Sequence, residues 1–333
     1  MKTQKNNTLE ILKLLASYMV VFIHVSFYGK LGVAIDALAR FAVPFFFLVS
    51  GYCSYQITTE KIKKRIKNIL TLLIFSSICC NIFEIVKLLK YSPDALGSFF
   101  DKYANLSTYV NLLVFNVPVS SGHLWYLVAI LYVYVIFYFT TKFKIKEKAI
   151  FIISFSLLLL HVLLGEGLSI FGIVVPFPLL RNFALMGIPF FALGLFTKKH
   201  ESKFQNIPNY VIFVLAVTGA FASIISRLFF GENELHIGSL FILVAIVCVF
   251  IKGAIVKYPS FLTAFDGCST YIYIFHIIIS TVILIFYGIL GIDIYSSLIL
   301  ENLHPIVVCI ACTIFSYLII KISKNIPFHK QAR

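Results

Sequence analysis

The feature that most constrains the fold is a succession of apolar segments, each long enough to cross a lipid bilayer. A transmembrane helix needs about 20 predominantly apolar residues. Mean hydropathy is +0.96, and 13% of the residues are charged, against about 25% in an ordinary soluble protein. The pattern predicts an all-α, polytopic integral membrane protein and excludes soluble, disordered, coiled-coil and disulfide-rich secreted folds. The ten predicted spans are residues 10–28, 33–57, 68–89, 107–117 joined to 123–140 as one span, 149–165, 181–197, 208–228, 237–256, 269–290 and 305–322.

Basic residues between the spans predict the orientation of the chain. Cytoplasmic loops carry an excess of Lys and Arg, and these loops alternate in that way if the N-terminus is cytoplasmic. An odd number of spans would break the alternation. We therefore predict ten transmembrane helices with both termini in the cytoplasm, forming one domain over residues 1–333. The net charge of +14 is accounted for by these loops, so nucleic-acid binding is not predicted. The usage of Lys, Ile, Asn and Phe indicates an AT-rich bacterial genome, and hence a bacterial cytoplasmic membrane.

Ionisable residues inside predicted spans are candidates for function, because placing them in lipid is costly. Lys13 and His24 are almost three helical turns apart in the first span and so share a helix face, with His24 deep toward the outer half. Lys13 also fits a snorkelling interfacial lysine, and His24 a hydrogen-bonded core histidine. Asp36 and Arg40, in the second span, are spaced to pair along a helix.

The remaining polar residues support structural interpretations. Glu84 and Lys87 are spaced as an ion pair on the third span. The seven cysteines lie in or beside apolar segments and are predicted to be packing residues. Cys309-x-x-Cys312 has one zinc-like spacing, but no second Cys or His pair accompanies it. The sequence contains no His/carboxylate grouping with the spacing of a zinc site, no phosphate-binding glycine loop and no G-x-S-x-G motif, so no metal site is predicted. Three histidines near outer span ends are expected to be interfacial: His161, His236 and His304.

Six short motifs occur in a fixed order between Leu9 and His276. They are Leu9–Lys13 with His24, Val43–Tyr52, Lys63–Lys67, His123–Leu127, Arg181–Phe183 with Pro189–Phe191, and Tyr271–His276. Together they are similar to the acyltransferase 3 family of membrane acyltransferases, and they also resemble the membrane half of vancomycin-resistance serine racemases.

The chain departs from the family pattern at two positions. Lys13 stands where the family usually has arginine, and Arg65 is followed by Asn68 where an Arg-x-x-Arg pattern is common. Lysine keeps the positive charge but lacks the two-pronged donor geometry of arginine. Anion binding survives that change, whereas close clamping of a phosphate is put in doubt.

The resemblance implies an O-acyltransferase that moves an acyl group, in many members acetyl, from cytoplasmic acyl-CoA (acetyl-CoA) to a hydroxyl of a cell-surface or lipid-linked glycan. His24 is then the general base or an acyl-histidine relay, in a catalytic set with Lys13 and Asp36. Burial of His24 is expected to favour its neutral form. The residues expected to bind the phosphates of CoA are Lys13, Lys61, Lys64 and Arg65. The residues expected to bind the acceptor are Arg40, His123, Trp125, Arg181, Asn182, Tyr273 and His276.

Two other functions fit the same sequence. A transporter of a small polar solute such as serine, or a glycan flippase, uses a similar cavity without acyl transfer. A catalytically inactive binding subunit is the third possibility. The predicted partners are the lipid bilayer, acyl-CoA and a glycan acceptor. The sequence leaves the acyl group, the acceptor, its side of the membrane and the oligomeric state open.

Overall fold

The structure is a computed structural model in which residues 7–119, 121–253 and 264–325 are described. The described residues are predominantly helical and contain no strand, which confirms the all-α prediction. The helices are α1 Asn7–His24, α2 Gly29–Ala39, α3 Ala42–Tyr52, α4 Thr59–Tyr91, α5 Leu96–Ala104, α6 Leu106–Phe115, α7 Trp125–Lys142, α8 Glu147–Val162, α9 Phe177–Leu180, α10 Ile188–Lys199, α11 Glu201–Gln205, α12 Asn209–Phe230, α13 Ile237–Lys252, α14 Cys268–Ile289 and α15 Leu298–Asn325.

Eight segments of the described chain are long and apolar enough to cross a membrane, which supports a multi-pass membrane protein. Two shorter apolar helices, α6 and α13, also fall within predicted spans. The count of ten spans and the cytoplasmic position of both termini therefore stay predictions. The eight long segments are Asn7–His24, Gly29–Tyr52, Thr59–Tyr91, Gly122–Lys142, Glu147–Gly167, Asn209–Phe230, Cys268–Ile289 and Leu298–Ile322. Five basic residues used to predict the orientation lie outside the described residues: Lys2, Lys5, Lys257, Lys330 and Arg333.

Two predicted spans are interrupted in the structure. The span at 33–57 consists of two helices, because the chain turns at Arg40 and Phe41. The segments predicted to join into one span are separate helices, since Asn116 adopts the left-handed conformation (φ 59°) and ends α6. Helix α7 then begins only at Trp125. Apolar composition identified these segments, but the breaks depend on single-residue backbone conformations.

The predicted span at 181–197 corresponds to one continuous helical stretch over residues 183–199, which begins with a π-helical turn. Helix α9 ends at Leu180, and a π-helical turn over Phe183–Gly187 precedes α10. The side chain of Asn182 accepts hydrogen bonds from the backbone N–H groups of Ala184 and Leu185, both at 2.9 Å. This cap starts a new helical segment where the hydropathy pattern is continuous.

The described chain divides into two compact units. The first unit comprises residues up to Val43, Ser202–Glu232 and the chain from His236 onward. Its helices include α1, which packs against α14, and α14 packs against α15. Val21, Ile272 and Val308 form part of the buried apolar core between them. In the same unit α12 and α13 approach closely at glycines, because a Cβ on Gly238 would lie 2.3 Å from the carbonyl oxygen of Gly219.

The second unit comprises Pro44–Glu201 and Asn233–Leu235. Helix α4 packs against α7, and α8 packs against α10. The α3 segment of this unit lies against α10 through glycine contacts, since a Cβ on Gly194 would lie 2.0 Å from the carbonyl oxygen of Leu48. Phe45, Phe47 and Phe190 are fully buried beside this contact. The packing of these helices fixes the two ends of the unit, and the polar residues of the unit lie at those ends.

Candidate functional site

A pair of histidines is the first candidate site, and it lies in the first unit. His24 is the last residue of α1 and is exposed, whereas His276 of α14 is fully buried. The centroids of the two imidazole rings are 5.1 Å apart, with the ring planes tilted by 39°. The prediction that His24 is buried is therefore wrong, because α1 ends at this residue. The structure nevertheless brings together two site residues that are far apart in sequence.

The first helix also carries Lys13, in the same continuous helix as His24. This confirms the helical register that places both residues on one face. The ammonium group of Lys13 lies 2.5 Å from a carboxylate oxygen of Glu10, and a quarter of its side chain is exposed. The positive charge is therefore partnered within its own helix, one turn away.

A network of four charged side chains forms a second polar cluster in the first unit. Arg40, whose side chain is 3% exposed, lies 2.5 Å from Asp36 and 2.9 Å from Glu232. The guanidinium of Arg227 lies 3.1 Å from the other oxygen of Asp36. The predicted pairing of Asp36 with Arg40 is confirmed. Two cations and two carboxylates neutralise each other here, so Arg40 is held in a network and is not projected toward solvent.

His236 adjoins this network and is fully buried. Its Nδ1 lies 2.8 Å from the hydroxyl oxygen of Ser226. Burial, together with the charge of Arg40, lowers the pKa of His236 to about 4. The imidazole is consequently neutral at neutral pH. His161 and His304 are likewise buried within the protein, and an interfacial position in the membrane stays a prediction for all three histidines.

One end of the second unit is strongly basic. Helix α4 begins there with exposed Lys61 and Lys64, and neither forms an ion pair with a described residue. The start of α8 is joined to the end of α10 by an ion pair between Glu147 and Lys199. The lysine-rich segments at 142–148 and 198–199 thus meet, and Lys63 of α4 lies over the ring of Tyr138 in α7, 5.5 Å from the centroid. A shared position on the cytoplasmic side stays a prediction for all three segments.

Arg65 differs from the lysines around it because it is held by the fold. Its guanidinium donates to the hydroxyl of Ser54 at 2.6 Å, to that of Tyr134 at 3.0 Å and to the carbonyl of Cys53 at 2.9 Å. Three of its donors therefore connect the end of α3 to α7. A role in binding CoA phosphates stays a prediction for Arg65, but its contacts are those of a structural arginine.

A cavity of about 180 Å³ opens beside this basic end. The loop Tyr55–Ile57, which leads into α4, forms one wall, and Thr140, Thr141 and Lys144 form another. Lys144 adopts the left-handed conformation (φ 52°), which ends the turn after α7 and directs the chain around the cavity. The lining combines aromatic and aliphatic side chains with the hydroxyl groups of Thr140 and Thr141, the ammonium group of Lys144 and the carboxylate of Glu147.

The opposite end of α7 carries the predicted acceptor residues of the second unit. The guanidinium of Arg181 donates twice to one oxygen of Glu234, at 2.9 and 2.6 Å. It also lies over the ring of Trp125, 5.8 Å from the centroid. Trp125 and His123 are both buried. The structure thus unites Arg181 with Trp125 and adds Glu234, which sequence reasoning did not select.

Asn182, next to Arg181, is occupied by the backbone. Its amide nitrogen donates to the carbonyl of Leu179 at 2.7 Å, while its oxygen caps the π-helical turn. Both ends of the side chain have a local structural role. Acceptor binding stays a prediction for this residue, as it does for Tyr273, which is buried in α14.

Three further predictions concern structural residues. Glu84 and Lys87 form the expected ion pair at 2.6 Å. Five of the seven cysteines are buried, as expected of packing residues, but Cys53 is exposed. Among the described residues, no group of three His, Cys, Asp or Glu side chains is placed to hold a metal ion.

Comparison with known proteins connects these clusters to a family. A family model described as an acyltransferase domain matches residues 6–321. The chain belongs to the acyltransferase 3 family. The match extends over nearly the whole chain and includes residues of both units. Neither the curated proteins nor the solved structures gives a match. Membership of the acyltransferase 3 family makes this chain a membrane acyltransferase at the level of the family.

The polar residues that sequence reasoning missed are concentrated in one short segment. Glu232, Glu234 and His236 lie between α12 and α13, and none of the three was selected as a site residue from the sequence. The signal was available, because two carboxylates and a histidine alternate within five residues of an otherwise apolar region. Their arginine partners come from distant positions, which spacing alone does not indicate.

Proposed function

We propose that this protein is a membrane O-acyltransferase that uses acyl-CoA as donor and a glycan hydroxyl as acceptor, with His24 as the general base. The observation that carries the proposal is an exposed imidazole, backed by a second imidazole, in a member of the acyltransferase 3 family. An exposed imidazole can reach a substrate hydroxyl. Histidine is the side chain that most often acts as a general base in enzymes.

In the proposed reaction, the acceptor hydroxyl oxygen attacks the thioester carbonyl while His24 takes the hydroxyl proton. The carbon–sulfur bond then breaks, and CoA leaves as a thiolate. The proton held by His24 passes to that sulfur, which restores the imidazole. The products are the glycan ester and free CoA, so the release of CoA measures the reaction.

The basic end of the second unit is the proposed donor site. Lys61 and Lys64 are exposed cations without ion-pair partners among the described residues, and they follow directly on the loop that lines the cavity. CoA carries several phosphates, which lysine ammonium groups bind as point charges. The adjoining cavity offers Tyr55 and Thr140 to the nucleotide.

The test of the base is CoA release from acetyl-CoA by protein in nanodiscs, with a mixture of cell-envelope glycans as acceptor. We expect His24→Asn to reduce release by about 100-fold or more, the scale of general base catalysis. His200→Asn, which removes a partly exposed histidine of the second unit, is the matched control and should keep activity. If folded wild-type protein neither binds nor consumes acyl-CoA, the proposal fails, and uptake of serine and other small polar solutes becomes the next assay.

The test of the donor site compares acetyl-CoA with S-acetylpantetheine, which lacks the nucleotide phosphates. Replacing Lys61 and Lys64 together by Ala should raise KM for acetyl-CoA by about tenfold or more and leave KM for S-acetylpantetheine unchanged. Lys90→Ala, in the last turn of α4, combined with Lys102→Ala, in α5, removes the same charge and serves as the control. An equal rise in KM for both donors would argue against phosphate binding by these lysines.

A further inference from the structure

Helices α8 and α10 of the second unit enclose an apolar groove. A cavity of about 230 Å³ lies between them. Its lining residues recur three or four positions apart within each helix, so one face of each helix borders the groove. Phe151, Phe155 and Leu158 contribute from α8, and Ala192 and Phe196 from α10. Both helices belong to segments predicted to cross the membrane, so we expect the body of the groove to lie at the depth of lipid acyl chains.

One end of the groove carries positive charge. The three phenylalanines also line an adjoining cavity that reaches Lys148 and Lys199. Lys199 forms an ion pair with Glu147, whereas Lys148 is exposed and has no ion-pair partner among the described residues. The two lysines and the one carboxylate leave this end with a net positive charge.

The groove also contains a buried hydroxyl group. Ser154 of α8 lines the cavity and is 4% exposed, and its oxygen forms no hydrogen bond with any described residue. Ser76 and Thr281, in other helices, donate to the carbonyl oxygen four residues earlier. A buried hydroxyl without a hydrogen bond costs free energy, so a ligand that places a carbonyl oxygen beside Ser154 would be stabilised.

The spacing along α8 matches the layers of one bilayer leaflet. Lys148 and Ser154 are six residues apart, which is a rise of ~9 Å. The polar layer on each side of the hydrocarbon core is about 5–8 Å thick. With Lys148 at the level of the lipid phosphates, Ser154 therefore lies near the edge of the hydrocarbon core, where the acyl chains of a phospholipid are esterified. Leu158 lies about one turn deeper, among the chains.

We propose that this groove binds one anionic phospholipid, with its phosphate at Lys148 and Lys199, an ester carbonyl at Ser154 and an acyl chain between α8 and α10. Lysine ammonium groups bind phosphate as point charges, and the hydroxyl of Ser154 donates to the ester oxygen. An anionic headgroup complements the net positive charge at the end of the groove, which a zwitterionic headgroup does not. The inference does not rest on the proposed function, because lipid binding is measured without acyl transfer.

Native mass spectrometry of the purified protein counts bound lipids directly. We expect the protein to bind one phosphatidylglycerol more tightly than phosphatidylcholine with the same acyl chains. Lys148→Gln should weaken phosphatidylglycerol binding by about fivefold, the effect of one cation on an anionic lipid, and leave phosphatidylcholine binding unchanged. Lys146→Gln removes the same charge two residues earlier, outside the lining of both cavities, and should have no effect.

Neighbouring leucines of α8 test the apolar body of the groove. Leu158→Trp fills the groove and should abolish the tight binding of phosphatidylglycerol. Leu159→Trp adds the same ring at an exposed position outside the cavity lining and should leave binding intact. Ser154→Ala should lower the affinity by about two- to tenfold, the range for one hydrogen bond. Its control is Ser316→Ala, which removes another buried hydroxyl that has no hydrogen-bond partner among the described residues.

The inference is overturned if the wild type binds the two lipids equally, or if Lys148→Gln binds phosphatidylglycerol as the wild type does. Displacement of the bound lipid by glycerol 3-phosphate would show that a phosphate alone is recognised. Displacement by equimolar palmitoyl-CoA would assign the groove to the acyl chain of a donor, which also overturns the inference. If Leu158→Trp does not fold, the comparison of Lys148→Gln with Lys146→Gln decides, because both lysines are exposed.

Discussion

Replacing Arg40 by Met tests whether the four-charge network is structural or binds substrate. The Arg40 side chain is 3% exposed and lies 2.5 Å from Asp36 and 2.9 Å from Glu232. Methionine has a similar length and adapts to an irregular core, so the substitution removes the charge with little loss of packing. Asp36, 12% exposed, then keeps Arg227 as its one remaining cation in the network.

The expected loss of stability follows from the charge that is left behind. The network has two positive and two negative groups, and removing Arg40 leaves the largely buried Asp36 to share Arg227 with Glu232, whose side chain is half exposed. Breaking a buried pair in this way costs about 3–5 kcal/mol. Replacing Asp36 by Leu in the same protein removes the stranded carboxylate. We expect the double variant to be more stable than Arg40→Met alone, with a coupling energy of about 1–3 kcal/mol.

The free energy of unfolding can be followed by titrating the protein in mixed micelles with a denaturing detergent, alongside CoA release. Arg40→Met with a free energy of unfolding within about 1 kcal/mol of wild type would refute the structural argument. So would strictly additive effects in the double variant. A stable Arg40→Met variant that has lost acyl transfer would instead favour direct acceptor binding by Arg40, as the sequence alone suggested.

Two further predictions concern pH and packing. The pKa of His236 falls from about 6.5 in an unfolded chain to about 4 in the fold, so the unfolded chain binds more protons between these values. The contribution of His236 to stability is complete above about pH 6.5 and is lost as pH falls toward 4. The melting temperature should therefore vary less between pH 4 and pH 7 in His236→Asn than in the wild type. An equal dependence of melting temperature on pH in the two proteins would contradict the argument. Gly194→Ala places a Cβ 2.0 Å from the carbonyl oxygen of Leu48. The resulting overpacking should lower the free energy of unfolding by about 1–3 kcal/mol, measured in the same detergent titration. An unchanged unfolding midpoint would show that α3 and α10 can move apart without a loss of stability.

The sequence predicted the helical class and most of the long helices because apolar runs are a local property. The predicted helix ends were less accurate where the conformation or capping of a single residue determines where a helix begins or stops. Asn116 ends α6 through a left-handed backbone, and Asn182 caps a π-helical turn. Neither asparagine interrupts the hydropathy pattern strongly, so a window of about 20 residues passes over both.

Pairings within one helix were also predictable. Asp36 with Arg40 and Glu84 with Lys87 follow from helical spacing. Partners that come from distant parts of the chain were not predictable in this way. Arg227 approaches Asp36 from α12, and Glu234 reaches Arg181 from a different part of the chain, so spacing contains no information about either contact.

The basic segment at the start of α4 also has some properties that follow from the sequence and others that depend on packing. Its charge and its position between spans are properties of the sequence, and they predict anion binding for every member equally. Packing then separates the members, because Arg65 is tied to Ser54 and Tyr134 while Lys61 and Lys64 stay exposed.

The amino-acid order alone was sufficient for the membrane class, the helical register of Lys13 and His24, and the resemblance to acyltransferases, because all three depend on residues that are close in the chain or on ordered motifs. The pairing of His24 with His276, the burial of one ring and the exposure of the other depend on the packing of α1 against α14. More than 200 residues separate the two histidines, and contacts over such a distance are set by the apolar faces that bring two helices together, not by the residues that finally meet.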